Sequence, residues 1–210
     1  PNTCAPLAIT YGPTQSSGSA LSWISTLLEI SQDEAINLAG RSESLDLPIF
    51  LPYIYGERAP LWRTDLQGGF YGIGGETNKS DLVASVLEGI SFAEKQVIET
   101  AEALNRSVNQ LIKLGGHAGN DQRWENIRLK TLGREISRYE DTDTTTRGSA
   151  ILAHAVITKN LSESTKRLSF NSIKSTPSKL QKDYSKNKFN EFLSAQAEAL
   201  RLADQKKERG

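Results

Sequence analysis

The segment most informative about the architecture reads Gly68-Gly69-Phe70-Tyr71-Gly72-Ile73, followed after seven residues by Asp81-Leu82-Val83-Ala84-Ser85-Val86-Leu87-Glu88. The first part predicts a short strand whose glycines permit another backbone to approach closely. The second part lies in a helix predicted over residues 80–105, because its apolar residues recur with the 3.6-residue period of one helix face. A strand followed by the clearest helix of the chain therefore forms the centre of the predicted fold.

Upstream of this segment the sequence predicts two helices and one extended stretch. Residues 20–28 carry apolar side chains at helical spacing. Ser31 and Glu34 fit a capping box that opens a second helix, which Gly40 closes. Residues 48–55 are apolar and partly β-branched, but their two prolines favour an edge strand or an extended loop.

Downstream of the long helix the predicted order is strand, glycine turn, helix, strand, helix. The segments are residues 110–114, the turn 115–120, the region around Trp124 and Ile127, residues 135–139 and, after a polar turn at 142–146, residues 148–156. This order is typical of an α/β fold, in which helices pack on a sheet.

We expect three parts along the chain. Residues 1–160 form the domain core, and residues 161–182, which are rich in serine and lysine, form a linker that crosses the surface. A C-terminal helix over residues 183–207 packs on the same domain, because Phe189 and Phe192 lie near one stripe of it.

Composition excludes several classes of protein. The 210 residues include 25 Lys and Arg against 25 Asp and Glu, so bulk charge does not indicate a nucleic-acid or membrane partner. The charges are unevenly placed: residues 1–160 carry 14 basic and 19 acidic side chains, and residues 161–210 carry 11 and 6. No apolar run approaches the ~18 residues of a membrane span. The chain begins at Pro1 and contains no methionine, and we expect it to be a fragment of a longer gene product.

The turn at residues 115–120 is the most informative candidate for ligand binding. Its glycine pair after a strand lets backbone approach a planar or charged ligand, and the following helix offers free N–H groups. The Asn120 side chain can hydrogen-bond to a base edge or a ribose. The alternative is a tight turn without a ligand. Residues 72–77 lack the third glycine of the dinucleotide fingerprint, and the chain contains no Walker phosphate loop.

The sequence predicts no metal site. His117 and His154 lie in different elements, and Cys4, the single cysteine, can neither complete a zinc site nor form an internal disulfide. Asp141 and Asp143 flank a threonine, a pattern that suits either Mg²⁺ or helix capping, and capping is the favoured interpretation.

Two further features have alternative interpretations. Glu57 and Arg58 form either a binding pair or an ion pair that fixes their loop, and the structural role is favoured. Trp62 in the same loop either stacks on a sugar or buries itself. The basic C-terminal tail has few interleaved aromatic residues, so it reads as a solvated helix face rather than a nucleic-acid contact.

Taken together, these segments resemble the C-terminal half of a sugar kinase of the FGGY carbohydrate kinase family. The segment from Gly68 to Glu88 matches the family's second signature at every constrained position. The other matching segments are Phe50-Leu51-Pro52-Tyr53, Gly56-Glu57-Arg58-Ala59-Pro60, Leu114-Gly115-Gly116, Trp124, Leu132-Gly133, Gly148-Ser149-Ala150 and the terminal helix with Tyr184 and Phe189. The resemblance covers nearly the whole chain.

The resemblance implies a ribonuclease H-like, actin-like ATPase domain that belongs to a two-domain kinase using ATP and Mg²⁺. The positions it assigns to nucleotide binding are Gly18, Ser22, Gly115, Gly116, His117 and Asn120. Two of these depart from the family pattern. His117 stands where a small residue is usual, and Ser22 stands where a longer polar side chain can occur.

The implied function is the nucleotide-binding domain of an ATP-dependent kinase that phosphorylates a sugar or sugar acid, with gluconate or xylulose favoured. The family's catalytic aspartate and phosphate loop belong to an N-terminal domain, so we expect the fragment alone to be inactive and to bind ATP weakly. Its partners are ATP, a small carbohydrate and that N-terminal domain, and the apolar face toward the missing domain can pair two copies in a homodimer. We expect a cytoplasmic location. The alternative is a non-catalytic actin-like nucleotide-binding or interaction module.

Overall fold

The computed structural model describes residues 11–44, 46–104, 111–116, 121–140, 143–167 and 171–209. Its helices are α1 (Gly18–Leu27), α2 (Gln32–Ala39), α3 (Lys79–Leu104), α4 (Gln122–Leu132), α5 (Thr144–Thr158), α6 (Leu161–Arg167) and α7 (Lys179–Arg209). Its strands are β1 (Ile49–Leu51), β2 (Gly69–Tyr71), β3 (Ile112–Leu114), β4 (Ile136–Tyr139) and β5 (Ser172–Ser175). The mixed helix and sheet architecture predicted from the sequence is confirmed.

The N-terminal elements form as their sequence signals predict. At the start of α2 the Glu34 N–H donates to the Ser31 hydroxyl at 3.2 Å, and the Ser31 N–H donates to the Glu34 carboxylate at 2.8 Å, which completes the capping box. Strand β1 pairs antiparallel with β2, with Phe50 opposite Phe70. Within the described residues this sheet has two strands, so both lie at its edges, and Pro48 lies just outside β1.

Helix α3 is the central element. It contacts α1, α2, α4, α7 and β1. Its crossing of β1 depends on Gly89, where an added Cβ would collide with the carbonyl oxygen of Phe50. The helix begins with a reciprocal cap, because the Asn78 side chain accepts from the Asp81 N–H at 3.1 Å and the Asp81 carboxylate accepts from the Asn78 N–H at 3.1 Å.

Helix α7 completes a second core on the other side of β1. Phe192 is fully buried and lies against Phe92 of α3, with ring centroids 5.7 Å apart, and Phe189 is in the same cluster. Helix α7 thus contacts α3 through these aromatic side chains. The helix begins at residue 179 rather than 183.

The second sheet has the order β3-β4-β5. Strands β3 and β4 run parallel, and β5 pairs antiparallel with β4. Residues 161–182 were expected to form a surface linker. The structure instead shows that this segment contains α6 and β5, and β5 pairs with β4 as a strand of the sheet. The polar turn expected at residues 142–146 is also partly wrong. Asp143 accepts from the Thr146 N–H at 3.1 Å, which starts α5 at Thr144.

We predict that Gly89→Ala lowers the free energy of unfolding by about 3 kcal/mol or more, because the new methyl group meets a backbone atom that cannot rotate away. The matched control is Gly148→Ala in α5, where an added Cβ meets nothing within 4 Å. This control should gain about 0.5–1 kcal/mol from helix propensity. Urea denaturation measures both. Equal effects of the two substitutions would contradict the close approach of α3 to β1.

A second prediction concerns Lys95, a buried cation between α3 and α7. Its ammonium donates to the Ser185 hydroxyl at 2.7 Å and lies 4.6 Å from the centre of the Phe189 ring. Burial lowers the pKa of Lys95 below its ordinary 10.5, and the charge of Arg134 acts in the same direction, while Glu99 opposes it. Between the lowered pKa and 10.5 the unfolded chain binds more protons than the folded chain. Stability therefore rises with pH across that window and is lost as the pH falls through it.

Lys95→Met removes the free-energy cost of burying the charged ammonium group. We expect the variant to be about 1 kcal/mol more stable than the wild type near neutral pH. The advantage should shrink as the pH approaches the ordinary pKa of lysine. Urea denaturation of both proteins at neutral and alkaline pH measures the difference. A difference that does not change with pH would show that Lys95 is not desolvated in the folded state.

Candidate functional site

The six residues assigned to nucleotide binding fall into two groups. Gly18 is the first residue of α1, and Ser22 follows one turn later. Gly115 and Gly116 directly follow β3. His117 and Asn120 lie outside the described residues, so their contribution stays a prediction.

One open groove of about 360 Å³ is lined by residues from the segment before α1 and from the glycine turn. Gly12 and Thr14, which precede α1, line one part of it, and Gly115 lines another. Its remaining walls come from α3, β3 and α4, including the side chains of Glu94 and Arg128. Arg128 donates to Glu94 at 3.1 Å, so this wall carries an ion pair. The structure thus brings the segment before α1 and the glycine turn to the same groove.

The glycine turn fits tightly against the start of α5. Gly116 has a φ of 82°, which lies in the left-handed region that favours glycine. A Cβ added at Gly115 would lie 3.0 Å from Oγ1 and 3.2 Å from Cγ2 of Thr144. The backbone conformation therefore favours glycine at 116, and the contact with Thr144 favours glycine at 115. The sequence did not identify Thr144 as a neighbour of the turn.

The two nearby helix N-termini differ in their free N–H groups. At the start of α4 the Asp121 carboxylate accepts from the N–H groups of Arg123 and Trp124, at 2.8 and 3.4 Å. The Arg123 guanidinium holds the pKa of Asp121 below its usual range. The expectation that α4 offers free N–H groups is therefore wrong for these two amides.

At the start of α1 the Ser17 side chain makes no capping hydrogen bond. Among the described residues no side chain caps the first turn of α1, whose Ala20 N–H donates to the Ser17 carbonyl oxygen at 3.2 Å. The positive end of the helix dipole lies at Gly18, which is exposed. Of the two helix starts, α1 has the better geometry for a bound anion.

The other candidate residues take mainly structural positions. Glu57 is buried but makes no ion pair with Arg58 in the described part of the chain, since its partners are backbone N–H groups. Trp62 is 67% exposed, so the interpretation that it buries itself is wrong. His154 lies 2.9 Å from the Ser164 hydroxyl and joins α5 to α6.

Neither a metal cluster nor a membrane span is found in the described residues. They contain no group of three or more His, Cys, Asp or Glu side chains that could hold a metal ion. Asp143 caps α5, as favoured from the sequence, and Asp141 lies outside the described residues. None of the helices described is long and apolar enough to cross a membrane.

Comparison with known proteins identifies the class. The model of the FGGY family of carbohydrate kinases, C-terminal domain, matches residues 3–156. This chain belongs to that family.

Individual relatives support this membership. The xylulose kinase of Staphylococcus epidermidis is 30% identical over 145 residues, which are 68% of this chain and 29% of that kinase. The structure superposes on gluconate kinase from Lactobacillus acidophilus with a TM-score of 0.75 and 21% identity, over 90% of this chain and 39% of the other. It superposes on Plasmodium falciparum glycerol kinase with ADP with a TM-score of 0.76 and 22% identity, over 89% and 38%. At these identities the structural likeness shows the fold, and the chain spans about three tenths of the length of its curated relative.

We predict that Gly115→Ala costs about 1–2 kcal/mol of stability, because its methyl group crowds Thr144. Adding Thr144→Ala should recover most of this loss, since it removes the two crowded atoms. A double-mutant cycle by urea denaturation measures the coupling. Purely additive effects would show that the turn does not pack on α5.

Proposed function

We propose that this chain is the nucleotide-binding half of an ATP-dependent carbohydrate kinase that phosphorylates a hydroxyl of a sugar or sugar acid. The family match over residues 3–156 is the single observation that carries this proposal. The segment before α1 and the glycine turn after β3 support it, because Thr14 and Gly115 line one groove. In this proposal the domain is ribonuclease H-like and actin-like, and the kinase acts in the cytoplasm.

The proposed binding mode uses backbone more than side chains. The N–H groups at the start of α1, at Gly18, suit the phosphates of ATP. The turn at Gly115 and Gly116 suits the flat face of adenine. Ser22, His117 and Asn120 complete the proposed set. In this binding mode the backbone contacts to adenine are kept even though histidine stands at 117, where the family usually has a small residue.

Catalysis requires groups that we assign to an N-terminal domain. Phosphoryl transfer needs a base for the sugar hydroxyl, a cradle for the phosphates and Mg²⁺ to neutralise charge. We therefore propose that this chain alone does not phosphorylate a sugar, and that its partner is that domain, with a homodimer of this chain as a second arrangement.

The sugar is proposed to be xylulose or gluconate. The relatives named above include a xylulose kinase and a gluconate kinase, but also a glycerol kinase. A screen of the full-length protein against gluconate, xylulose, ribulose and glycerol distinguishes them. A full-length protein that binds ATP but phosphorylates none of these would favour the alternative, a non-catalytic nucleotide-binding module.

We predict that the 210-residue chain binds ATP and ADP with a Kd on the order of 1 mM or tighter, without sugar-dependent ATP turnover. Isothermal titration calorimetry measures binding, and release of ADP with each sugar measures turnover. Gly116→Val should weaken binding, because a β-branched residue resists a φ of 82°. Gly74→Val, where an added Cβ meets nothing within 4 Å, is the control. Sugar-dependent turnover, or no binding at all, would contradict the proposal.

A further inference from the structure

We propose that Glu57 is a positioning residue of the nucleotide site, whose buried carboxylate holds the segment that leads into α1. This inference rests on the proposed function, because it concerns the same groove. Glu57 is 3% exposed. Its Oε1 accepts from the Gln15 N–H at 2.6 Å and from the Arg58 N–H at 2.8 Å. One carboxylate oxygen thus joins the segment before α1 to the loop that follows β1.

A backbone hydrogen bond strengthens this connection. The Ala59 N–H donates to the Pro13 carbonyl oxygen at 3.0 Å. The segment from 13 to 15 is therefore held by the loop at both ends. Thr14, the residue between these two contacts, lines the groove that also contains Gly115.

The loop that carries Glu57 is itself anchored. Backbone hydrogen bonds of 2.8 and 2.9 Å join Glu57 and Arg63 in both directions. The Arg63 guanidinium then donates to Asp65 and, at 2.7 Å, to Asp204 of α7. A series of hydrogen bonds thus extends from α7 through the loop to the segment before α1.

The position of Glu57 in the chain explains why it acts on the start of α1. Gln15 lies three residues before Gly18, too few for a flexible chain to absorb a displacement. Ser16, between them, is 2% exposed, and its hydroxyl has no hydrogen-bond partner among the described residues. The carboxylate of Glu57 is therefore a side-chain hydrogen-bond acceptor that fixes this approach at Gln15.

The required property is the acceptor oxygen rather than the charge. The second carboxylate oxygen, Oε2, is buried without a hydrogen-bond partner in the described part of the molecule. Burial raises the pKa of Glu57. A glutamine keeps one acceptor oxygen at the same reach, whereas its amide takes the buried, unpartnered position of Oε2, which lowers stability but leaves the acceptor in place. Glu57→Gln should therefore preserve the positioning.

The test compares ATP binding to the full 210-residue chain by calorimetry in four variants. Glu57→Ala should weaken ATP binding about tenfold, the size expected when hydrogen bonds accepted by one side-chain oxygen are lost. Glu57→Asp should give an intermediate loss, and Glu57→Gln should stay within about twofold of the wild type. The matched control is Glu102→Ala, which removes a half-buried carboxylate that accepts two hydrogen bonds from Arg134. It should bind ATP like the wild type.

Each outcome decides between the interpretations. A wild-type affinity in Glu57→Ala overturns the inference, and so does an affinity in Glu57→Gln as weak as in Glu57→Ala. An equal loss in Glu102→Ala would show a general effect of stability. If Glu57→Ala does not fold, the Asp and Gln variants give the same comparison. A wild-type chain that binds no ATP contradicts the proposed function instead, so the two failures are distinguishable.

Discussion

The crossing of α3 over β1 is the constraint on which the other packing depends. Gly89 allows the helix axis to approach the backbone of Phe50, and two cores then form on either side of the strand. The first core uses α1, α2 and the buried Trp124 of α4, while the second uses α7 through Phe192. A larger residue at 89 would move the helix away from both. The long helix is therefore the element that the two cores share.

Buried polar groups fix the orientation of the elements that pack around α3. Glu88 is 3% exposed, accepts from the Tyr184 hydroxyl at 2.8 Å and pairs with Lys130, so one carboxylate joins α3, α4 and α7. Glu125 accepts from Arg138 and Ser175 at 2.5 Å each and joins α4 to β4 and β5. A different packing that separated such a pair would leave a buried charge without a partner, which is strongly destabilising.

The sequence predicts those elements that carry their own local signals. The capping box at Ser31 and the apolar period of the long helix are local, and both elements appear where they were expected. Strand β5 has four residues with hardly any burial, and its pairing with β4 is a long-range event that composition does not reveal. The same limit applies to the site. The glycine turn is visible in the sequence, whereas the contact between Glu57 and Gln15 spans 42 residues and uses a backbone donor, so residue identities do not encode it.

The two halves of the candidate site are supported by different cores. Helix α1 packs in the first core, through Leu21 and Ile24, and β3 rests on a third cluster with Leu129 and Ile136. Helix α3 contacts α1 and α4, and its residues line the groove between the two halves. Each half has its own local support: Glu57 holds the segment before α1, and Thr144 packs against the glycine turn.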